Sequence, residues 1–342
     1  MTRVLGAAIL AIAMLGVLAA PWLAPNPGDE QFREYLYAPP MRVRVIDAEG
    51  RWHRPFVYGV RLADRAMRTF SLDVSDRLPL RWFVGSRLVG LAPDSGQPLL
   101  LLGSDGLGRD ILARLLLGAR TTLGVAVLAA AGALLLGLIV GGVAGYAGGV
   151  VDEILMRLAD LVLVLPTIYV VLALRAVLPL VLPTAAIFWL MVLLLAVVAW
   201  PWVARGVRAI VAAERRREYA LAAVALGAGP VRILVRHLLP ATTGFLAVQV
   251  TLLLPAFILA EATLSYVGLG FAPPAASWGV MLQEASNIRA IADFPWLLSP
   301  AVAIIAVVLA VNLVTREGSS GGALGLVSAL ERRGRRSRGT RL

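Results

Sequence analysis

Apolar and polar positions fall in long blocks along the chain. A bilayer-crossing helix needs about 20 mostly apolar residues. Six windows meet that demand: Val4 to Leu23, Thr122 to Tyr146, Leu158 to Leu182, Thr184 to Val203, Thr243 to Val267 and Trp296 to Thr315. Between the first two lies a polar stretch from about Pro25 to Leu101, too long for a structureless connection. In it the runs MRVRVID and RWHRPFVYGVRL alternate partly at period two on either side of Ala48-Glu49-Gly50, the pattern of a β-hairpin. The expected fold class is therefore an all-α polytopic membrane protein, six transmembrane helices with a small β-rich extracytoplasmic insert after the first helix. Pro166, Pro179, Pro201 and Pro255 fall inside windows, where neighbouring helices accommodate proline and a kink is common.

The chain divides on this pattern into a membrane anchor helix at 1–24, the insert at 25–101, a transmembrane domain at 102–315 containing a polar loop at 205–240, and a basic tail at 316–342. The first window has the basic start and small-residue end of a signal peptide, but Pro21 directly after Ala19-Ala20 is a poor setting for cleavage. A retained anchor is expected.

Charge sets the expected orientation. The stretch from Arg205 to His237 holds seven arginines against Glu214 and Glu218, and the tail after Thr315 holds seven against Glu317 and Glu331. Gly268 to Pro295 has Arg289 alone against Glu284 and Asp293. Arginine-rich flanks stay in the cytoplasm, so both termini are expected there. A nucleic-acid surface fits poorly, because two basic clusters abut membrane helices; no nucleic-acid partner is expected, and the lipid bilayer is.

Composition narrows the chemistry. Of 342 residues 59% are hydrophobic and 15% charged, with a net charge of +11, against about 25% charged in soluble domains. All 32 basic residues are arginine, so a P-loop lysine and a Schiff-base lysine are both excluded. If this protein's work needs ATP, another chain must hydrolyse it. There is no cysteine, and the histidines are His53 and His237, which leaves no metal site or catalytic triad to expect.

Several patterns predict packing. Ala129, Ala133, Gly137, Gly141, Gly145 and Gly149 recur every fourth residue, forming a small-residue stripe that lets a second helix approach closely; Gly137, Gly141 and Gly145 are its expected core. Asp160 follows Arg157 by three residues, close enough to meet on one helix face. Arg175 and Glu261 are expected to snorkel or to make local structural pairs. In the 205–240 loop, Tyr219 to Leu226 reads as a short alanine-rich helix stopped by Gly227-Ala228-Gly229-Pro230. Such a helix suits docking into a partner's groove, or it is a solvated loop helix.

The spacing of Ala222, Ala223 and Gly227, followed by Leu239-Pro240, resembles the cytoplasmic signature of binding-protein-dependent ABC importer permeases. LLGSDGLGRDILARLLLGARTTL (Leu101 to Leu123), AGYAGGVVDEILMRLADLVLVLP (Ala144 to Pro166) and ILAEATLSYVGLGFAPPAASWGVML (Ile258 to Leu282) narrow the resemblance to the oligopeptide, dipeptide and nickel branch. It implies a non-catalytic permease subunit forming half of a transmembrane pathway for peptides or related small solutes. Implied partners are a second homologous permease subunit, two ATPase subunits that carry ATP and Mg, and an extracytoplasmic substrate-binding protein. This chain itself would bind no cofactor. By resemblance Tyr219, Ala222, Ala223, Gly227 and Ala228 would couple to the ATPases. Asp105, Gly108, Arg109, Asp110 and Trp278 would be receptor-side or structural elements. Leu221 replaces a glutamate common in relatives, Val224 stands where arginine is frequent, and the tail departs from the family's usual ending. A self-sufficient secondary transporter is the alternative; it would need internal repeats and mid-span coupling charges. An intramembrane hydrolase would need a serine and histidine converging within the bilayer.

Overall fold

The apolar windows become helices whose ends differ from the hydropathy pattern. The structure is a computed structural model and describes residues 2–64, 68–92, 95–177 and 182–314; the 316–342 tail and Pro179 lie outside the described residues. Helix α1 is Thr2–Leu23. The connection after it carries β1 (Arg44–Ile46), β2 (Trp52–Asp64) and β3 (Thr69–Pro79), antiparallel in the order β1-β2-β3, and a hairpin of β4 (Arg81–Val84) with β5 (Arg87–Gly90). Gly50, at φ +80°, sits in the turn between β1 and β2. Val57, Val60, Leu78, Leu91, Leu99 and Leu100 give this region its own small core.

Helix α2 runs Ile111–Ala147, eleven residues ahead of the expected start at Thr122. The hydropathy pattern missed its first turns because they hold Arg114 and Arg120. Asp110 begins the helix by accepting a hydrogen bond from the Leu112 backbone at 2.9 Å, an N-cap of the usual kind. Helices α3 (Gly149–Val164) and α4 (Thr167–Val177) replace the single expected span from Leu158 to Leu182. The break is at Leu165, whose ψ of 116° is the extended conformation that a following proline, here Pro166, imposes. Helix α5 (Thr184–Glu214) continues through Pro201 and past the expected end at Val203. A short α6 (Glu218–Ala225) and α7 (Pro230–Ile233) follow, then a π turn and a 3-10 turn lead into α8 (Thr243–Tyr266). The chain then forms α9 (Trp278–Glu284) and α10 (Ile288–Asp293), and a last helix, α11, within Pro295–Val314. Among the described residues five helical stretches are long and apolar enough to cross a membrane: Val4–Leu23, Ile111–Ala147, Thr184–Glu214, Pro230–Tyr266 and Pro295–Val314.

The α2–α5 seam organises the bundle. Ala129 and Ala133 are fully buried. A methyl group added at Gly137 would lie 2.5 Å from Val203 Cβ, at Gly141 2.3 Å from the Ala204 carbonyl oxygen, and at Gly145 2.6 Å from that of Arg208. The stripe ends there: Gly149 belongs to α3, has φ +55° and faces open space, because α2 stops at the Gly148 cap. The expected Arg157–Asp160 pair is not formed. Arg157 pairs with Glu153 one turn back, while Asp160 pairs with Arg205 and Asp152 takes Arg208 at 2.7 Å, both from α5. Those two cross-helix pairs explain how α5 carries arginines past the apolar window.

Candidate functional site

Two regions at opposite ends of α2 hold the expected functional residues; at about 1.5 Å per residue, its 37 residues separate them by about 55 Å. At the C-terminal end α6 lies beside α5. Ala220 and Ala223 point inward, packed with Val203, Val207, Val211, Ile233 and Leu238. Gly227, at φ +77°, adopts the left-handed conformation that favours glycine. Its N–H donates to the Val224 carbonyl at 2.9 Å and that of Ala228 donates to the Ala223 carbonyl at 3.0 Å. This is the Schellman termination, and Ala228 packs against the same inner cluster as Ala223.

The Ala223, Gly227 and Ala228 pattern therefore has a reason within this chain. A docking groove that leaves no room is not needed to explain Ala223, which faces the chain's own core. Nor is it needed for Gly227, where an added Cβ would meet nothing within 4 Å. Ala222 and Tyr219 face outward. The Tyr219 hydroxyl donates to Glu214 at 2.8 Å; burial, with help from Glu214, pushes its phenol pKa up. Leu226, 88% exposed, shares the outer face with the two departures from the family's usual residues, Leu221 at 58% and Val224 at 56%. Their signal was present as a departure from the usual polar residues, and only the burial of the opposite face gives it meaning.

At the other end, Asp105 organises a tight turn. Its Oδ1 accepts from the backbone N–H groups of Leu107 at 2.9 Å and Arg109 at 3.0 Å. Gly108 has φ +77°, and a Cβ there would lie 2.2 Å from the Phe32 carbonyl oxygen, so this glycine lets the post-α1 connection pass. Asp110 is fully buried and takes Asn26 Nδ2 at 2.9 Å. Burial pushes its carboxyl pKa up to about 6, although Asn26 and the α2 backbone donors pull the other way.

Asp105 Oδ2 also receives Arg109 at 2.8 Å and Arg114 at 2.7 Å, and both guanidiniums reach Glu284 at the end of α9. Two cations and two carboxylates thus clamp the turn, α2 and α9 together. Trp278 is buried, with its indole N–H donating to the Leu115 carbonyl at 3.0 Å and its backbone N–H to Thr122 Oγ1 at 3.2 Å. Of the two roles open to Asp105, Arg109, Asp110 and Trp278, their burial and internal partners support the structural one. Arg114, Glu284 and Asn26 were missed. Glu284 is 170 or more residues from its arginines, and no local spacing connects them.

Glu261 does make a local structural contact: it is fully buried in α8 and accepts from Ser265 Oγ at 2.8 Å. Among the described residues no group of His, Asp and Glu is placed to hold a metal.

Comparison with known proteins gives the arrangement its context. Residues 133–316 match the family described as binding-protein-dependent transport system inner membrane component. The oligopeptide transport system permease protein OppC of Bacillus subtilis is 39% identical over 213 residues, 62% of this chain and 67% of that one. The di/tripeptide transport system permease protein DppC of Pseudomonas aeruginosa is 31% identical over 311 residues, 90% and 83% of the two chains. The nickel transport system permease protein NikC of Escherichia coli is 37% identical over 229 residues, 66% and 77%.

Proposed function

Because the chain belongs to the family of inner membrane components of binding-protein-dependent transport systems, we propose that it forms half of the transmembrane pathway of an ABC importer for peptides or related small solutes. It works beside a second homologous permease subunit, two ATPase subunits that bind ATP and Mg, and an extracytoplasmic substrate-binding protein. Helices α3 and α4 together form a sixth, broken span. The anchor at 1–24, the 102–315 domain and the tail at 316–342 then leave both termini cytoplasmic and the 25–101 insert outside.

The observation that carries this reading is the two-sidedness of α6. One face is fixed by the chain's own core, while Leu221, Val224 and Leu226 present an apolar face to solvent at the arginine-rich end. That face, with Ala222 and Tyr219, seats in a cleft of an ATPase subunit and passes its ATP-driven movement to α5 through Ala220 and Ala223. Turning the face polar, by Leu221→Glu with Val224→Glu, should leave the chain folded and inserted. Assembly with the ATPases should fall at least tenfold, the equivalent of about 1.4 kcal/mol, and receptor-stimulated ATP hydrolysis should fall with it. Ala213→Glu, at an exposed position on the preceding turn of α5, is the control. Gly227→Ala should instead weaken the chain itself by about 1 to 2 kcal/mol through its positive φ. Normal receptor-stimulated hydrolysis in the double variant would reduce α6 to a solvated connector.

A further inference from the structure

Strand β4 leaves two consecutive aromatic side chains, Trp82 and Phe83, 64% and 78% exposed. The facing strand does the opposite, since β5 packs Val89 against the insert's own core. The two aromatics are therefore not what holds the hairpin to the insert. Left in water, they forgo the transfer free energy that either would gain in an apolar setting, and an exposed apolar patch of this kind marks a surface that something covers.

The place of the hairpin selects what covers it. Arg87, paired across the turn with Val84, donates from Nη1 to the Pro25 carbonyl at 2.9 Å, and β5 packs beside α1. The turn of the hairpin thus sits against a residue two positions beyond Leu23, where α1 ends. On α1 itself Leu15, Leu18 and Trp22 are exposed, and their spacing of three and four puts them on one helix face. In a membrane-spanning helix such a face looks to lipid, and Trp22 closes it at the depth where tryptophan collects, between acyl chains and headgroups. Arg81, exposed at the start of β4, adds a cation that lipid phosphates attract while its stem lies along apolar surface.

We propose that the β4–β5 hairpin is an interfacial anchor: Trp82 and Phe83 enter the headgroup boundary of the bilayer beside the end of α1, and Arg87 ties the hairpin to that helix. The insert is thereby held against the lipid surface at a second point. The anchor needs α1 to cross the bilayer and nothing from the ATPase or receptor partners.

The chain has no cysteine, so Ser86→Cys, exposed in the turn, carries a single environment-sensitive fluorophore while both aromatics stay in place. The full chain is reconstituted in vesicles of phosphatidylcholine and phosphatidylglycerol that include a lipid with a nitroxide near the top of its acyl chain. The label at 86 should be quenched by the nitroxide lipid and shielded from aqueous iodide. The same label on Ser71→Cys, at an exposed position of β3, should show the reverse. Trp82→Ser with Phe83→Ser should lower the ratio of lipid-bound to free hairpin by about tenfold or more. That shift is read as lost nitroxide quenching and gained iodide quenching at 86, with a thermal melt confirming that the chain remains folded.

Iodide reaching the label at 86 as freely as at 71 in the chain with both aromatics overturns the anchor. Shielding without nitroxide quenching overturns the lipid assignment: if it grows with protein density the surface belongs to a second copy of the chain, and if it appears only with added substrate-binding protein it belongs to that protein. Unchanged quenching in the folded double variant overturns the role of the aromatic pair. The vesicles hold no ATPase, so failure here leaves the importer reading standing, and lipid quenching without receptor-stimulated hydrolysis in the assembled complex removes the importer reading alone.

Discussion

Replacing Gly141 by alanine tests whether the α2–α5 seam holds the bundle. In an unconstrained helix the exchange favours the helix by about 1 kcal/mol. Here the new Cβ would lie 2.3 Å from the Ala204 carbonyl oxygen and 2.9 Å from Ala204 Cα and Val207 Cβ. Reaching even the 3.0 Å limit of real Cβ contacts from 2.3 Å requires the helices to part by 0.7 Å. Two of these neighbours are backbone atoms, so no side chain can swing away. A gap of about 0.5 to 1 Å forfeits a quarter to a half of each van der Waals well it opens, and the seam runs from Gly137 to Gly145. Overpacking of this kind costs about 1 to 3 kcal/mol, enough to outweigh the propensity gain. The control is Gly244→Ala in α8, where an added Cβ meets nothing within 4 Å and the propensity gain should stand alone. Thermal unfolding of the purified chain in detergent, followed by loss of the monodisperse peak, should place Gly141→Ala below the parent and Gly244→Ala at or above it. A Gly141→Ala chain as stable as the parent would refute the close-approach argument.

Two other predictions concern pH and orientation. Since burial raises the Asp110 pKa to about 6, the folded chain holds that proton more tightly than the unfolded chain. The contribution of Asp110 to stability is therefore gained as pH falls from 7 towards 4 and lost as pH rises through 6. Subtracting the melting profile of Asp110→Asn from that of the parent should isolate this slope, and parallel profiles would refute the assignment. For orientation, cysteines at the exposed positions Ser71 and Ala272 should react with an impermeant thiol reagent added outside, and one at Ala213 only after the membrane is opened. Ser277 is fully buried as the cap of α9 and is unsuited to this test. Reversed labelling would overturn the proposed topology.

The sequence by itself determined that the chain is built of membrane-length apolar helices, because hydropathy is a local property of about 20 residues. It also determined the small-residue stripe and the helix stop at Gly227, since a period of four and a left-handed glycine are local signals too. What it could not determine was where paired charge ends an apolar window. Arg114 and Arg205 have no local partner that explains them until Asp105, Glu284 and Asp160 supply one, and those partners are set by tertiary packing. The same holds for α6. Its alanines and glycine are legible in the sequence, but whether a small residue faces the chain's own core or an outside partner depends on which side α5 covers. Tertiary structure turned Ala223 inward and left Leu221, Val224 and Leu226 outside. It also joined Asp105 to Glu284, across a separation that no sequence period encodes.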